Sequence, residues 1–284
     1  MIQDFSRCEP SGKFYTGAER KTGIRFKGEN YIVKFRKNSQ EGMTYNHVSE
    51  YLGCHIFEMA GIDTQETWLG RYKGEDVVVL KDFTSDEEMF VPFNDVGDSS
   101  LDMDRERVQY SYEDIMDMLE ANRKLTYVEE TVDVFWDMFI MDALLGNFDR
   151  HGSNWGFLKK GEEYRLAPVF DNGSCLFPKL VSDKQCTGVL ESRQEMQKRV
   201  YQFPTSQIQL RGKKSSYYEV IGSHQFAECD RALQRMAGKI DMDSICRLIE
   251  SVECMSSVRK EFLCEMIKLR YRKLICEPLE GVRR

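Results

Sequence analysis

Alternating apolar and polar residues predict two β-hairpins near the start of the chain. The first covers residues 23–36 and turns at residues 27–30, and the second covers residues 67–80 and turns at Lys73 and Gly74. Every second side chain faces the same side of a sheet, so this alternation is typical of strands with one buried face. The predicted strands are Ile24–Phe26, Tyr31–Phe35, Thr67–Tyr72 and Asp76–Leu80.

Between the hairpins the apolar spacing changes to three and four residues, which is the spacing of one helix face. It predicts a helix over residues 44–60 that ends at Gly61. Its apolar residues are Val48, Leu52, Ile56 and Met59. The order of strands, helix and strands predicts a small mixed lobe over residues 1–83.

The later part of the chain has mainly helical periodicity. Its strongest pattern lies at Glu129–Leu145, where apolar residues recur on one broad face. Further helices are predicted at Tyr112–Glu120, 226–237 and 242–276, the last with a break near Cys254–Ser257. We therefore expect a larger helical lobe over residues 107–284. The acidic stretch at 84–106 is predicted to be a solvated connection between the lobes.

Composition narrows the class of protein. The chain has 284 residues, 41% of them hydrophobic, and a net charge of −7, as expected for a folded globular protein without direct nucleic-acid binding. No apolar run approaches the length of a membrane span, and no signal-peptide core occurs at the N-terminus, so no stable membrane insertion is expected. The nine cysteines form no CxxC motif, which favours reduced thiols. The expected location is the cytoplasm, with an exported effector as the alternative.

The most informative segment follows the long apolar helix. Asp149 precedes Asn154 by five positions, a hairpin is predicted over residues 155–166, and Asp171 opens an Asp-Asn-Gly sequence. Phosphoryl transfer uses such a set, because one carboxylate orients the attacking hydroxyl while another carboxylate and an amide hold magnesium. Asp and Asn also stabilise ordinary turns, but three in this order and spacing favour phosphoryl transfer.

The first lobe offers a cation for the phosphates. Lys34 lies on a predicted strand, and Glu50 lies off the apolar face of the following helix, where it could pair with Lys34. Glu58 is the competing partner, and we expect it to face solvent. The segment at 16–23 contains Gly17 but lacks the spacing of a P-loop.

These residues together resemble the HipA-like kinases. The likeness rests on the segment from Gly17 to Thr22, the strand residue Lys34, the motif from Asn147 to Asn154 and the segment at 170–174, and it extends from about residue 14 into the final helices. The closest likeness is to compact members of the family, which lack an extra N-terminal subdomain. The resemblance implies an α+β, bilobal, protein-kinase-like fold. It also implies ATP- and Mg²⁺-dependent phosphorylation of protein serine or threonine.

The resemblance implies a role for each matching residue. Asp149 would be the catalytic base, assisted by Asn154, and Asn154 and Asp171 would bind the metal. The expected nucleotide-site residues are Gly17, Ala18, Lys21, Lys34, Glu50, Leu80, Phe83 and His151. Lys21 would add a second phosphate contact, and the hinge that binds adenine would include Leu80 to Phe83. His151 would either steady the loop or contact phosphate.

The family also implies partners. The acceptor would be a protein, with a component of the translation machinery as one candidate, and the kinase would act as a toxin or effector with an antitoxin as a candidate partner. Two departures weaken that role. The serine that HipA autophosphorylates aligns near Phe14, with Tyr15 and Thr16 as substitutes, and the missing subdomain removes part of the antitoxin-binding surface.

Other activities stay open. The Asp149–Asn154 and Asp171 motifs are also similar to type II phosphatidylinositol 4-kinases, whose acceptor is a lipid. For such an enzyme, the basic runs at 211–214 and 268–273 would be candidates for a membrane-facing surface. The second run could instead hold an acidic partner. The remaining alternatives are a small-molecule phosphotransferase, AMP transfer and a pseudokinase. Lys179, Lys184 and Arg193 lie in the segment at 174–202, which we expect to shape the acceptor site.

Overall fold

The computed structural model describes residues 2–15, 19–95, 116 and 128–282. Its first lobe is built on a six-stranded sheet. The strands are Gln3–Asp4 (β1), Glu9–Pro10 (β2), Lys21–Phe26 (β3), Glu29–Phe35 (β4), Thr67–Tyr72 (β7) and Glu75–Lys81 (β8). They lie in the order β1-β7-β8-β4-β3-β2, and only the β1–β7 pair is parallel. A separate two-stranded pair, Asn38–Ser39 (β5) and Gly42–Met43 (β6), follows β4.

Both predicted hairpins are confirmed, and the conformation of their turns explains the glycine in each Lys-Gly pair. Lys27 and Gly28 have φ angles of 50° and 85°, and Lys73 and Gly74 have 52° and 82°. Two successive positive φ angles characterise the type I′ turn that favours two-residue hairpin loops, and glycine adopts them without strain.

The two faces of this sheet differ in chemistry. One face carries its own apolar cluster, which includes Phe5, Ile24, Val33 and Val79. On β4 the alternate residue Lys34 points to the other face, directly opposite Lys21 on β3. The second face therefore brings two lysines towards the rest of the molecule.

Helix α1, Asn46–Met59, joins the lobes. Its apolar residues Val48, Leu52 and Ile56 are buried in the main core, most of which comes from the second lobe. The predicted helix is thus confirmed, although Met59 is 40% exposed because it is the last helical residue.

The second lobe is mainly helical, as predicted. Its helices are Val128–Leu145 (α2), Asp183–Leu190 (α3), Arg193–Tyr201 (α4), Tyr217–Gly222 (α5), Ala227–Ala237 (α6), Met242–Ser251 (α7), Ser257–Arg270 (α8) and Glu277–Val282 (α9), with a π-helical stretch at Tyr271–Cys276. The predicted break near residue 254 is the interval between α7 and α8. The predicted helix Tyr112–Glu120 lies outside the described residues except for Met116. Among the described residues, no helix is long and apolar enough to cross a membrane.

The acidic segment predicted as a connection contains a strand in its described part. Met89–Pro92 (β9) pairs with Gly156–Lys160 (β10), which in turn pairs with Glu163–Leu166 (β11). The apolar residues from Met89 to Val91 supply this strand between two polar stretches. Residues 96–106 of the predicted connection lie outside the described part of the chain. A second hairpin of this lobe, Thr205–Leu210 (β12) with Lys213–Ser216 (β13), was not predicted.

Candidate active site

The catalytic loop begins where α2 ends. Gly146 has a φ of 68°, a conformation that suits glycine, and the chain turns there into the loop. The buried Asn147 fixes the next residues: its side-chain nitrogen donates to Asp142 Oδ1 at 2.8 Å, and its oxygen accepts from the Asp149 N–H at 3.0 Å. The Asn154 side-chain nitrogen donates to the Asp149 carbonyl at 2.8 Å, so Asp149 and Asn154 are held as one unit.

Arg150 ties this loop to the segment that carries Asp171. Its buried guanidinium pairs with Asp142 on α2 at 2.9 Å. It also donates to the carbonyl of Asn154 at 2.9 Å, to the carbonyl of Phe170 and to the side-chain oxygen of Asn172 at 2.6 Å. One arginine thus sets the spacing of the two loops. No role was predicted for Arg150 or Asp142 from the sequence, although an arginine directly after the predicted base is a local signal.

Lys34 connects the first lobe to Asp171. Its Nζ lies 2.8 Å from Asp171 Oδ1 and 2.9 Å from Glu50 Oε2, so the predicted pairing with Glu50 is present. The other Glu50 oxygen accepts the Asn172 N–H at 2.7 Å. Glu58 is exposed and lies 3.4 Å from His55 Nδ1, so it faces solvent as expected. Glu50 therefore fixes both the lysine and the Asp-Asn-Gly turn, in which Asp171 has a φ of 56°.

Burial and charge compete at these groups. Burial favours the neutral form of Lys34, but the carboxylates of Asp171 and Glu50 outweigh it and hold the pKa of Lys34 above its ordinary value. Burial likewise disfavours an ionised Asp171, yet Lys34 lowers the pKa of Asp171 to about 2. Burial raises the pKa of Glu50, and Lys34 opposes that shift. The contacts among Lys34, Asp171 and Glu50 therefore keep Lys34 and Asp171 charged.

The carboxyl group of Asp149 is in a different environment. Burial raises the pKa of Asp149, and the imidazole of His151 partly opposes this shift, while the negative charge of Asp171 adds to it. His151 Nε2 lies 3.9 Å from Asp149 Oδ1, and His151 Nδ1 accepts from the Ser153 N–H at 3.3 Å. A carboxylate with a raised pKa is a stronger base than an ordinary aspartate. The geometry gives His151 contacts that steady the loop.

The glycine-containing segment before β3 lies partly outside the described residues. Gly17 and Ala18 are not described, so their predicted phosphate contacts stay predictions. Lys21 lies opposite Lys34 in the sheet, and burial followed by the charge of Lys34 lowers the pKa of Lys21. Glu19, which was not predicted, lies 4.0 Å from Lys34 Nζ and pairs with Lys37.

The predicted hinge residues have different surroundings. Leu80 is fully buried near the end of β8 and shares the sheet face of Lys34. Phe83 follows the strand and contacts Phe90 and Phe170, with ring centroids 6.0 Å and 5.4 Å away. Because Phe170 directly precedes Asp171, this aromatic cluster joins the hinge to the predicted metal-binding turn.

The donor set fits a magnesium ion that arrives with a nucleotide. Asp171 supplies an ionised carboxylate, and the amide of Asn154 uses its nitrogen on the Asp149 carbonyl, which leaves its oxygen for a ligand. Mg²⁺ prefers oxygen ligands and is commonly held by one or two carboxylates together with substrate phosphates. Within the described ranges, no three His, Cys, Asp or Glu side chains form a metal site by themselves. A metal shared with phosphates is consistent with both observations.

The three basic residues of the segment at 174–202 that were predicted as acceptor contacts lie apart from one another. Lys179 is exposed and lies over the ring of Phe148, 4.5 Å from its centroid, next to Asp149. Lys184 is exposed on α3, and Arg193 begins α4. The prediction that the basic run at 268–273 forms a surface is wrong for Arg270. This residue is fully buried and cannot belong to a surface patch.

Comparisons with known proteins identify a matching family and a related protein. The model of the HipA-like C-terminal domain matches residues 14–252. Serine/threonine-protein kinase CtkA of Helicobacter pylori is 36% identical over 96% of this chain and 86% of its own.

Two solved structures are similar in fold. The crystal structure of the Helicobacter pylori proinflammatory kinase CtkA matches with a TM-score of 0.91 at 34% identity, over 100% of this chain and 98% of that one. HipA of Shewanella oneidensis, from a toxin–antitoxin complex with HipB and operator DNA, matches with a TM-score of 0.61 at 15% identity, over 97% of this chain and 70% of that one. The second likeness supports the kinase-like fold alone.

Proposed function

The chain belongs to the family of the HipA-like C-terminal domain, and on this basis we propose that it is an ATP- and Mg²⁺-dependent protein serine/threonine kinase. The relative that is 36% identical is named as a kinase of this type. The observation that carries the proposal is the contact of Lys34 with both Glu50 and Asp171, beside a loop that holds Asp149 and Asn154 together.

Asp149 is proposed to orient the acceptor hydroxyl and take its proton. The hydroxyl oxygen then forms a bond to the γ-phosphorus of ATP, and the bond from that phosphorus to the bridging oxygen breaks, so ADP leaves. The raised pKa of Asp149 supports this role, because the proton moves more readily to a stronger base. Arg150 is a positioning residue that keeps the base in register with the Asp-Asn-Gly turn.

Lys34 and Lys21 are proposed to contact the phosphates from the sheet. Asp171 and Asn154 would hold Mg²⁺, which when bound offsets the charge of the phosphates. The low pKa of Asp171 supports this assignment because a metal ligand must be deprotonated. Glu50 acts through Lys34 by fixing its position. The family resemblance implies that Leu80 and Phe83 belong to the hinge that binds adenine. The remaining predicted nucleotide contacts likewise stay as the resemblance implies.

The proposal is tested by transfer of radiolabelled γ-phosphate from ATP in the presence of Mg²⁺. The purified protein is offered itself, a generic basic protein, a cell lysate and phosphatidylinositol vesicles. Asp149→Ala is expected to lower labelling of protein by roughly 10²–10⁴-fold and to leave ATP binding intact. Asp171→Ala is expected to weaken Mg²⁺-dependent ATP binding as well. The exposed Asp86→Ala is the matched control and should behave as wild type.

The acceptors separate the proposal from its alternatives. Label on lipid alone would replace it with a lipid kinase, and ATP binding without any label would favour a small-molecule acceptor, AMP transfer or a pseudokinase. Full activity of Asp149→Ala would overturn the assignment of the base. A substrate in the translation machinery and an antitoxin partner stay predictions from the family resemblance.

A further inference from the structure

An open groove lies between α4 and α8, away from the nucleotide site. It has a volume of about 800 Å³ and continues along the π-helical stretch after α8. Apolar side chains, among them Met196 and Leu269, form part of its lining. Clefts of this size are in the range of about 300–1,000 Å³ that ligand sites occupy. No residue proposed for the nucleotide site or as the catalytic base lines it, whereas Arg193 and the basic run at 268–273, which the sequence offered as candidates for holding an acceptor or an acidic partner, contribute to its lining.

Cations outnumber acids in the lining of this groove. Arg193, Lys268, Arg272 and Lys273 contribute positive charge, against Glu191 and Glu265. Lys268 pairs with Glu265 and Lys273 pairs with Glu277, so the unneutralised positive charge comes from Arg193 and Arg272, which are exposed and have no ion-pair partner among the described residues. On a chain with a net charge of −7, such a local excess favours an anionic ligand.

The groove is linked to the catalytic loop through the end of α4. Tyr201 lines the groove, and two residues later the exposed ring of Phe203 stacks with Phe148, with the ring centroids 6.1 Å apart. Phe148 directly precedes Asp149. A polypeptide that presents a hydroxyl to Asp149 and passes over Phe148 and Phe203 would therefore be led towards the groove.

Arg270 makes the wall of the groove rigid. It donates to the Ala143 carbonyl at 2.8 Å through Nε, and it contacts the carbonyl oxygens of Arg199 and Phe203. Helix α4 is thus fixed to α2, the helix from which the catalytic loop emerges. A preformed groove binds a segment at a lower entropic cost than a flexible surface does.

We propose that the groove between α4 and α8 docks an acidic, amphipathic segment of the protein substrate. The proposal rests on the proposed function, since it specifies a feature of that substrate. The acidic groups of the segment would pair with Arg193 and Arg272, and its apolar side chains would lie on Met196 and Leu269. A polypeptide fits better than a membrane because a bilayer surface is flat, whereas these cations surround a concave site.

Binding is measured by fluorescence anisotropy with a labelled amphipathic peptide of Leu and Glu, and with a matched peptide of Leu and Lys. Wild type should bind the acidic peptide, more weakly at high salt, and not the basic one. Arg193→Glu/Arg272→Glu should lower the affinity at least about tenfold. Lys213→Glu/Lys214→Glu changes the net charge equally at two exposed residues of β13 outside the groove, and this variant should bind as wild type does.

Asp149→Ala separates this proposal from the kinase assignment. Docking needs no catalysis, so this variant should bind the acidic peptide normally even though its phosphotransfer is strongly reduced. Peptide binding without phosphotransfer by wild type would therefore contradict only the proposed function. Phosphotransfer to protein, combined with equal peptide affinity of wild type and Arg193→Glu/Arg272→Glu, would contradict only the docking groove.

A membrane ligand gives a different result. If wild type sediments with phosphatidylserine vesicles through Arg193 and Arg272 and does not bind the acidic peptide, the groove binds lipid and the proposal is overturned. Equal melting temperatures of all the variants establish that the substituted surface residues leave the fold intact.

Discussion

At the scale of single residues, Lys34 already has a full set of anionic partners without a nucleotide. Asp171 and Glu50 lie within 2.9 Å of its Nζ, and Glu19 lies at 4.0 Å. Glu19 also pairs with Lys37, and no role was predicted for either residue from the sequence. A nucleotide phosphate that approaches Lys34 must therefore compete with the carboxylate of Glu19.

We expect Glu19→Gln to tighten ATP binding. Removal of one negative charge about 4 Å from Lys34 relieves a repulsion of roughly 1 kcal/mol in a water-like environment, which corresponds to roughly fivefold in affinity. Calorimetric titration with ATP and Mg²⁺ measures this change. Glu29→Gln, on the same strand as Lys34 but paired with Lys81, should leave the affinity unchanged. Weaker binding by Glu19→Gln would mean that Glu19 orders the adjacent loop instead.

The sequence predicted some of these residues and not others for a physical reason. Lys34, Asp149, Asn154 and Asp171 occur in short motifs whose spacing reflects their chemistry. Arg150 lies in the motif, but its role depends on contacts with Phe170 and Asn172, which are 20 and 22 residues away and leave no pattern in the sequence around Arg150. Glu50 could be predicted because helical periodicity separates it from the apolar face of α1.

At the scale of elements, the contact of α1 with the Asp-Asn-Gly turn depends on a glycine inside the helix. A Cβ on Gly53 would lie 2.5 Å from the Cβ of Asn172, closer than such atoms approach. Asn172 in turn is held by Glu50 and Arg150. The glycine therefore sets how closely the helix approaches the catalytic turn.

We expect Gly53→Ala to destabilise the protein by roughly 1–3 kcal/mol, because overpacking outweighs the better helix propensity of alanine. Displacement of α1 should also lower phosphotransfer. Gly188→Ala is the matched control, since a Cβ there meets no atom within 4 Å on helix α3, and it should raise stability by up to about 1 kcal/mol. Urea unfolding measures both variants. Equal effects of the two substitutions would contradict the close contact.

The elements differ in how well the sequence predicted them. The hairpins, α1 and α2 carry long, regular apolar periods and are confirmed. Strand β9 is apolar but only four residues long, and helices α3 and α4 are short and mainly polar, so none of the three shows a clear apolar period. Helix α3 begins instead with a capping box, in which Ser182 and Gln185 satisfy each other's backbone groups.

At the scale of the whole molecule, the ion pairs of Lys34 with Asp171 and Glu50 make the free energy of unfolding depend on pH. Lys34 lowers the pKa of Asp171 from 3.8 to about 2, against the effect of burial. A lowered folded-state pKa stabilises the protein above the ordinary pKa, and this stabilisation is lost as the pH falls through the folded-state pKa. Asp171 thus contributes stability at neutral pH that disappears in acid.

We expect wild type to exceed Asp171→Asn in free energy of unfolding by on the order of 2 kcal/mol at neutral pH. The difference should shrink as the pH falls from about 4 to about 2. Urea unfolding over this pH range, without nucleotide, measures it. A difference that stays constant with pH would mean that the ion pair with Lys34 does not set the pKa of Asp171.

Helix α1 has a consequence for how the molecule folds and responds to ligands. Its apolar face belongs to the core of the second lobe, while Glu50 holds the lysine of the first. The sheet keeps only a small apolar cluster of its own. Neither lobe therefore contains all of the contacts that it needs, and a ligand that binds in the cleft adds its binding free energy to the cooperative stability of both.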